Sequence, residues 1–233
     1  MAKKIVPISR KEAVVEMLRE SILAGERPAG SRLNLDEIAE ELGVSRMPVR
    51  EALKQLETEG LVTIYPHRGV EVSELTLDDI EEIFGIRTLL EQKAVARAIP
   101  NLTPSDLELM HETLVQMDAL SGHGGEWMEL NSRFHSTINK RCRWPRLIEM
   151  INILRRNVES YLRTYWRVMG YQKPQQQHWA LYEACRTKDI AAAEAILAEH
   201  FADTFKSLLS ALRDAEGSTG SRSRLRSRVE EKA

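Results

Sequence analysis

Over the first sixty positions apolar residues recur at helical spacing, and glycine and proline cut the pattern into segments. From Ser9 to Ala24 the positions Ala13, Met17, Ile22 and Leu23 fall near one face of an amphipathic helix. Gly25 and the turn Pro28-Ala29-Gly30 stop it. Asn34 and Glu37 have the spacing of a capping box, and the helix they open carries Leu35, Ile38, Ala39 and Leu42 at core positions. Gly43 stands where a left-handed residue closes a helix, and Ser45 caps the next one. That helix carries Val49, Ala52, Leu53 and Leu56 inward and runs to Gly60. Beyond Gly60 the period changes to alternation. Leu61-Val62-Thr63-Ile64-Tyr65 and Val70-Glu71-Val72 flank the turn Pro66-His67-Arg68-Gly69, which predicts a short hairpin. The order helix, helix–turn–helix, hairpin is that of a winged helix-turn-helix.

From Thr76 onward no strand pattern remains. Helices are expected near 77–99, 104–120, 126–142, 145–169, 174–187 and 189–213, with Thr103-Pro104-Ser105-Asp106 as a clear helix start and Gly122-His123-Gly124-Gly125 as a loop. The fold class is mainly α. A winged helix-turn-helix is expected over 1–75 and an all-helical domain over 76–213, followed by a Gly-, Ser- and Arg-rich tail over 214–233 that is expected to be disordered.

Composition changes this picture little. No run approaches the roughly 18 apolar residues of a membrane span, and Met1 to Pro7 lack a signal-like apolar stretch, so a cytoplasmic protein is expected. Cys142 and Cys185 have no metal-type spacing, and no disulfide is expected between them. The net charge is −2, and residues 1–75 hold 11 Lys and Arg against 13 Asp and Glu. Bulk charge therefore does not announce nucleic acid, and a DNA contact has to rest on where particular arginines stand.

Two of them open the second helix of the pair. Arg46 and Arg50 are four apart on one exposed face, at the helix end that enters a major groove. Arginine pairs bidentately with guanine, and the free N–H groups of a helix start suit a phosphate. The bland alternative is a surface ion pair of either arginine with Glu41 or Glu51. The stretch Leu42-Gly43-Val44-Ser45-Arg46-Met47-Pro48-Val49-Arg50-Glu51-Ala52-Leu53, then Leu56-Glu57-Thr58-Glu59-Gly60-Leu61-Val62 and Pro66-His67-Arg68-Gly69-Val70, resembles the GntR family of bacterial regulators. The resemblance implies operator contacts from Ser45, Arg46, Arg50 and the hairpin tip His67, Arg68 and Gly69. It also implies a homodimer on a pseudo-palindromic double-stranded DNA site, with repression the commoner outcome. Asp36 and Glu37 occupy a region where some members carry a further DNA-contacting arginine.

In the second half, polar residues interrupt apolar stripes. Asn131 and His135 share a helix face with Met128 and Ile138. His178 falls with Leu181, Tyr182 and Cys185, and His200 with Ala193, Ile196 and Leu197. A lone histidine so placed is usually a hydrogen-bonded core residue, but three of them each need a partner, and one divalent metal would serve all three. Arg87 stands in a stripe of Ile80, Ile83, Phe84, Leu90 and Ala94, with Glu82 or Glu91 as a structural partner and a ligand carboxylate as a functional one. This half resembles the FadR-type subfamily, whose ligand domain is an antiparallel helical bundle. That resemblance implies a metal held by Asn131, His135, His178 and His200, Asn131 replacing the commoner Asp. Zinc is the first expectation, with nickel, manganese or iron as alternatives. It also implies a small carboxylate effector; on the functional reading the metal and Arg87 grip it together, with Tyr161, Tyr165 and Tyr182 as candidate hydroxyl contacts. Trp127, Trp144, Trp166 and Trp179 are read as packing aromatics, and His111 and His123 as exposed.

Two other readings use the same histidines. A zinc hydrolase needs a general base, and neither a His-Glu-x-x-His pattern nor an inward carboxylate is evident. A direct metal-sensing repressor would respond to the ion alone. The chain is read as a non-enzymatic regulator.

Overall fold

The computed structural model describes residues 9–120 and 124–219. They divide into two compact units, the first ending at Leu75 and the second beginning at Thr76.

In the first unit α1 (Arg10–Leu23) opens with a reciprocal capping box, in which Ser9 Oγ accepts the Glu12 N–H and the Glu12 carboxylate takes the Ser9 N–H. Its buried face is Val14, Val15, Leu18, Ile22 and Leu23, and Met17 stays 56% exposed. The row expected from Ala13 and Met17 ends in Ser21, whereas Val14, Leu18 and Ile22 form an unbroken apolar row, so the helix is turned by one position. After α1 come a two-residue strand β1 (Arg32–Leu33), α2 (Leu35–Glu41) and α3 (Arg46–Thr58). The hairpin β2 (Val62–Tyr65) and β3 (Gly69–Val72) follows. The sheet order is β1-β3-β2, both pairs antiparallel, with Leu33 opposite Val70 and Val62 opposite Val72. Two residues give no alternation to read, so β1 was absent from the sequence expectation. Asn34 caps α2 by accepting the Asp36 N–H, and its amide donates to the Glu37 carboxylate, so the expected capping box is replaced by a side-chain pair. Leu18, Ile38, Val49, Leu53, Leu56, Val62 and Val72 close one core.

The second unit is an antiparallel helical bundle of α4 (Leu77–Ala98), α5 (Pro104–Ala119), α6 (Gly124–Asn139), α7 (Pro145–Met169), α8 (Gln172–Thr187) and α9 (Ile190–Thr219). Capping boxes Thr76/Asp79 and Thr103/Asp106 start α4 and α5. The helix α4 packs against α6, α7 and α9, α5 against α6 and α8, and α8 against α9. Gly124 and Gly125 already belong to α6, where a loop was expected; residues 121–123, including His123, lie outside the described residues. At the other end α9 continues past 213 to Thr219, against the expectation of disorder from 214, and residues 220–233 lie outside the described residues. Cys142 and Cys185 are buried and free, and burial pushes the Cys185 thiol up to about 12. Among the described residues no helix is long and apolar enough to cross a membrane.

Candidate functional site

The first candidate site is the start of α3. Ser45 is in extended conformation just before the helix, and its hydroxyl makes no capping bond to the first turn, contrary to the capping role expected for it. The hydroxyl and the first N–H groups of α3 are thus left to face an acceptor from outside. Arg46 is 69% exposed and pairs with Asp36 of α2, Nε to Oδ1 at 2.5 Å and Nη2 to Oδ2 at 2.9 Å. The surface ion pair of the bland alternative is therefore present for Arg46, with Asp36 as its partner, while Glu41 binds Arg27. Arg50 is exposed on the same helix. At the hairpin tip His67, Arg68 and Gly69 are exposed; His67 has φ +62° and Gly69 φ +101°. A side chain at position 69 would be strained by that backbone, which accounts for glycine there.

The second candidate site is built where α6, α8 and α9 meet. His135, His178 and His200 project from these helices into the core and are 4%, 1% and 7% exposed. Their ligating nitrogens all lie within 4.8 Å of one another. The Nε2 atoms of His135 and His178 are 3.2 Å apart. Two nitrogens bound to one ion at the tetrahedral angle stand about 3.3 Å apart. Burial holds all three imidazoles below their usual range. For His135 the repulsion its charged form would meet from a protonated His200 and from Arg87 and Arg155 adds to it, and for His178 the same repulsion from protonated His200 and His135. His200 is brought down to about 4 by burial and then by Arg87, with Asp203 opposing. At neutral pH the three rings are therefore uncharged, the state in which imidazole ligates a metal.

A chain of polar groups fixes the His200 ring. The Asp203 carboxylate accepts from Lys173 Nζ and from Gln177 Nε2, each at 2.7 Å. That bond orients the Gln177 amide, so its Oε1 faces His200 Nδ1 at 3.1 Å and accepts the N–H. Nε2 of His200 is left with its lone pair, as a ligand nitrogen requires. Asn131 stands one turn before His135, and its Oδ1 is buried without a partner, as is Nδ1 of His178. Three neutral imidazoles and an orphaned amide oxygen fit a divalent cation, which when bound would supply a Lewis acid for an oxygen ligand.

Arg87 is buried at 4% and is answered within its own helix: Nε donates to Glu91 at 3.2 Å, and the guanidinium lies 4.6 Å from the Phe201 ring centre. Glu91, itself 1% exposed, also accepts from Asn139 at 2.8 Å. An inward carboxylate thus exists, contrary to the sequence reading, but two partners hold it. Arg155 of α7 is a further buried cation, bonded to Ser132.

Beside the histidines lies a cleft of about 550 Å³, its open mouth included, onto which Asn131 and His200 both face. Trp127 and Trp166, read from sequence as packing residues only, form part of its wall with ring centres 4.2 Å apart. Arg87, Tyr165 and Tyr182 are absent from its lining. Tyr182 packs instead on Trp179 and on the exposed His111, with ring centres at 5.9 and 5.7 Å. Lys173, Gln177 and Asp203 were missed because polar residues at a helix rim look like a solvated face. Their only signal was position: Gln177 four after Lys173 and next to His178, Asp203 three after His200.

The chain is similar to known proteins. Residues 10–72 match the family model of bacterial regulatory proteins of the gntR family, and residues 82–203 match the FCD domain. The HTH-type transcriptional regulator McbR of Escherichia coli K12 is 34% identical over 153 residues, covering 65% of this chain and 69% of McbR. The HTH-type regulator YdhC of Bacillus subtilis 168 is 28% identical over 196 residues, covering 79% of this chain and 84% of YdhC. The solved structure of E. coli McbR/YncC matches with a TM-score of 0.77 at 29% identity, over 87% of this chain and 98% of that one. The chain belongs to the GntR family: it is a transcriptional regulator with an N-terminal winged helix-turn-helix and a C-terminal FCD effector-binding domain.

Proposed function

We propose that this regulator is a homodimeric repressor of a pseudo-palindromic operator, whose DNA affinity is set by a small carboxylate bound at a divalent metal. The observation that carries the reading is the buried, uncharged cluster of His135, His178 and His200 opening, with Asn131, onto a cleft. Four neutral donors leave the charge of the ion unbalanced. An anionic ligand in the cleft supplies the balance, and an ion that accepts five ligands keeps a position for it. Zinc is the first ion to test, then nickel, manganese and iron. A hydrolase is disfavoured because the nearby carboxylates are engaged, Glu91 by Arg87 and Asn139, Asp203 by Lys173 and Gln177.

On the DNA side Ser45, Arg46, Arg50 and the tip His67, Arg68 and Gly69 make the contacts. Residues 1–75 read the operator and 76–213 sense the effector. A dimer sets two recognition helices about one DNA turn apart, and the effector acts through its different affinity for the DNA-bound and free geometries.

The test is a salt-controlled titration of the metal-loaded full chain on duplexes selected from random DNA, with and without carboxylates. Effector should shift operator affinity by about 5-fold or more. Arg46→Ala should relax the sequence preference at the base pair it reads, because one bidentate contact discriminates by about 1–3 kcal/mol. Unchanged preference in that variant would overturn the DNA assignment.

A further inference from the structure

Resting on the proposed carboxylate site, we propose that its effector is a monocarboxylate with a flat apolar body, an aromatic carboxylate in preference to a small hydroxy- or dicarboxylate. The cleft wall is made by Trp127, Trp166, Met128, Leu162, Met169 and Pro174. Trp127 and Trp166 are 2% and 7% exposed and incline at 35° to each other, so they present a fixed aromatic surface to whatever lies against them. Aromatic rings favour offset or edge-on partners at such surfaces, and the thioether side chains of Met128 and Met169 add polarisable contacts to a ring.

The polar groups are few and mostly spoken for. Lys173 is the cation in the described lining, and its ammonium is already 2.7 Å from Asp203, which lines the same cleft. Arg87 and Arg155 do not line it. A first carboxylate has the metal side of the cleft, where Asn131 and His200 stand. A second carboxylate would meet tryptophan, methionine and leucine, the hydroxyls of Thr204 (which already donates to the His200 carbonyl) and Ser207, or the like charge of Asp203, and would lose its hydration without a free cation to replace it. The buried Nε1–H of Trp127 has no acceptor among the described residues. An oxygen of the bound ligand satisfies it.

The experiment is calorimetric titration of the metal-loaded full chain with benzoate, phenylacetate and indole-3-acetate against acetate and malate. The aromatic acids should bind roughly tenfold or more tightly than either small acid. Their binding should quench tryptophan fluorescence. Trp166→Leu should bring the ratio of aromatic-acid to acetate affinity down towards one. Should that variant fail to fold, Met169→Ala, at a half-buried wall position, is expected to cut the preference in the same sense. Malate or acetate binding as tightly as the aromatic acids would overturn the aromatic class while the carboxylate site stood. Binding of no carboxylate to metal-loaded protein would contradict the underlying site, and this inference with it.

Discussion

At the scale of single residues, most buried polar atoms of the second unit find partners, and Asn131 Oδ1 and His178 Nδ1, beside the histidine cluster, are among those that do not. His200 is held by Gln177, which is held by Asp203, which is held by Lys173. Outer partners of this kind fix ring orientation and ligand basicity, and losing one typically costs 10–100-fold in metal affinity. Gln177→Leu keeps the side chain's bulk and removes the acceptor. Its metal Kd, measured by competition with a chelator, should rise about tenfold or more while the melting temperature of the metal-free protein stays close to wild type. An unchanged metal Kd would show that the chain of bonds is only structural. The three histidines were legible in sequence because each breaks an apolar stripe. The groups that orient them were not, because Lys173, Gln177 and Asp203 stand among other polar residues and only the packing of α8 on α9 reveals which ones turn inward. Tyr182 lies outside the cleft lining for the matching reason: besides Trp179 of its own helix it packs on His111 of α5, a pairing across helices that no one-helix pattern encodes.

At the scale of elements, caps were legible only in part. Thr103 caps α5 where the sequence puts it, since a capping box is a contact between residues three apart, but Ser45 makes no capping bond and the Asn34/Glu37 box is replaced by a side-chain pair. Rotation of a helix about its axis was harder. In α1 the choice between the Ala13–Met17 row and the Val14–Leu18–Ile22 row is decided by α3, against which α1 packs. Helix α4 shows a local rule settling a long-range question. Arg87 and Glu91 are one turn apart, and both are buried against α6 and α9 partners, Asn139 and Phe201. Removing one partner of a buried pair leaves the other charge uncompensated. Glu91→Ala should therefore destabilise the second unit by about 3 kcal/mol or more, read as a drop in the midpoint of denaturant unfolding. A change well below about 1 kcal/mol would mean that Arg87 finds another anion or water when Glu91 is absent.

At the scale of the whole molecule, the division after Leu75 puts the proposed DNA contacts in one unit and the proposed metal ligands in the other, so each proposed function can be tested alone. The metal-free protein also carries a pH signature. In the unfolded chain His135, His178 and His200 take up protons as the pH falls through about 6.5, whereas in the folded chain burial keeps them neutral, His200 down to about 4. The unfolded state binds protons first, so stability is full above about pH 6.5 and is lost as the pH falls towards about 4. Chelator-treated wild type should lose more stability across that window than a His135→Ala/His178→Ala/His200→Ala variant; equal losses would contradict the buried, neutral state of the cluster. The central claim is the metal site itself, and elemental mass spectrometry of the purified full chain tests it most directly. About one divalent ion per chain in wild type and none in the triple variant is the expected result. Wild-type protein that holds no metal even after reloading, or a triple variant that holds as much, would contradict it.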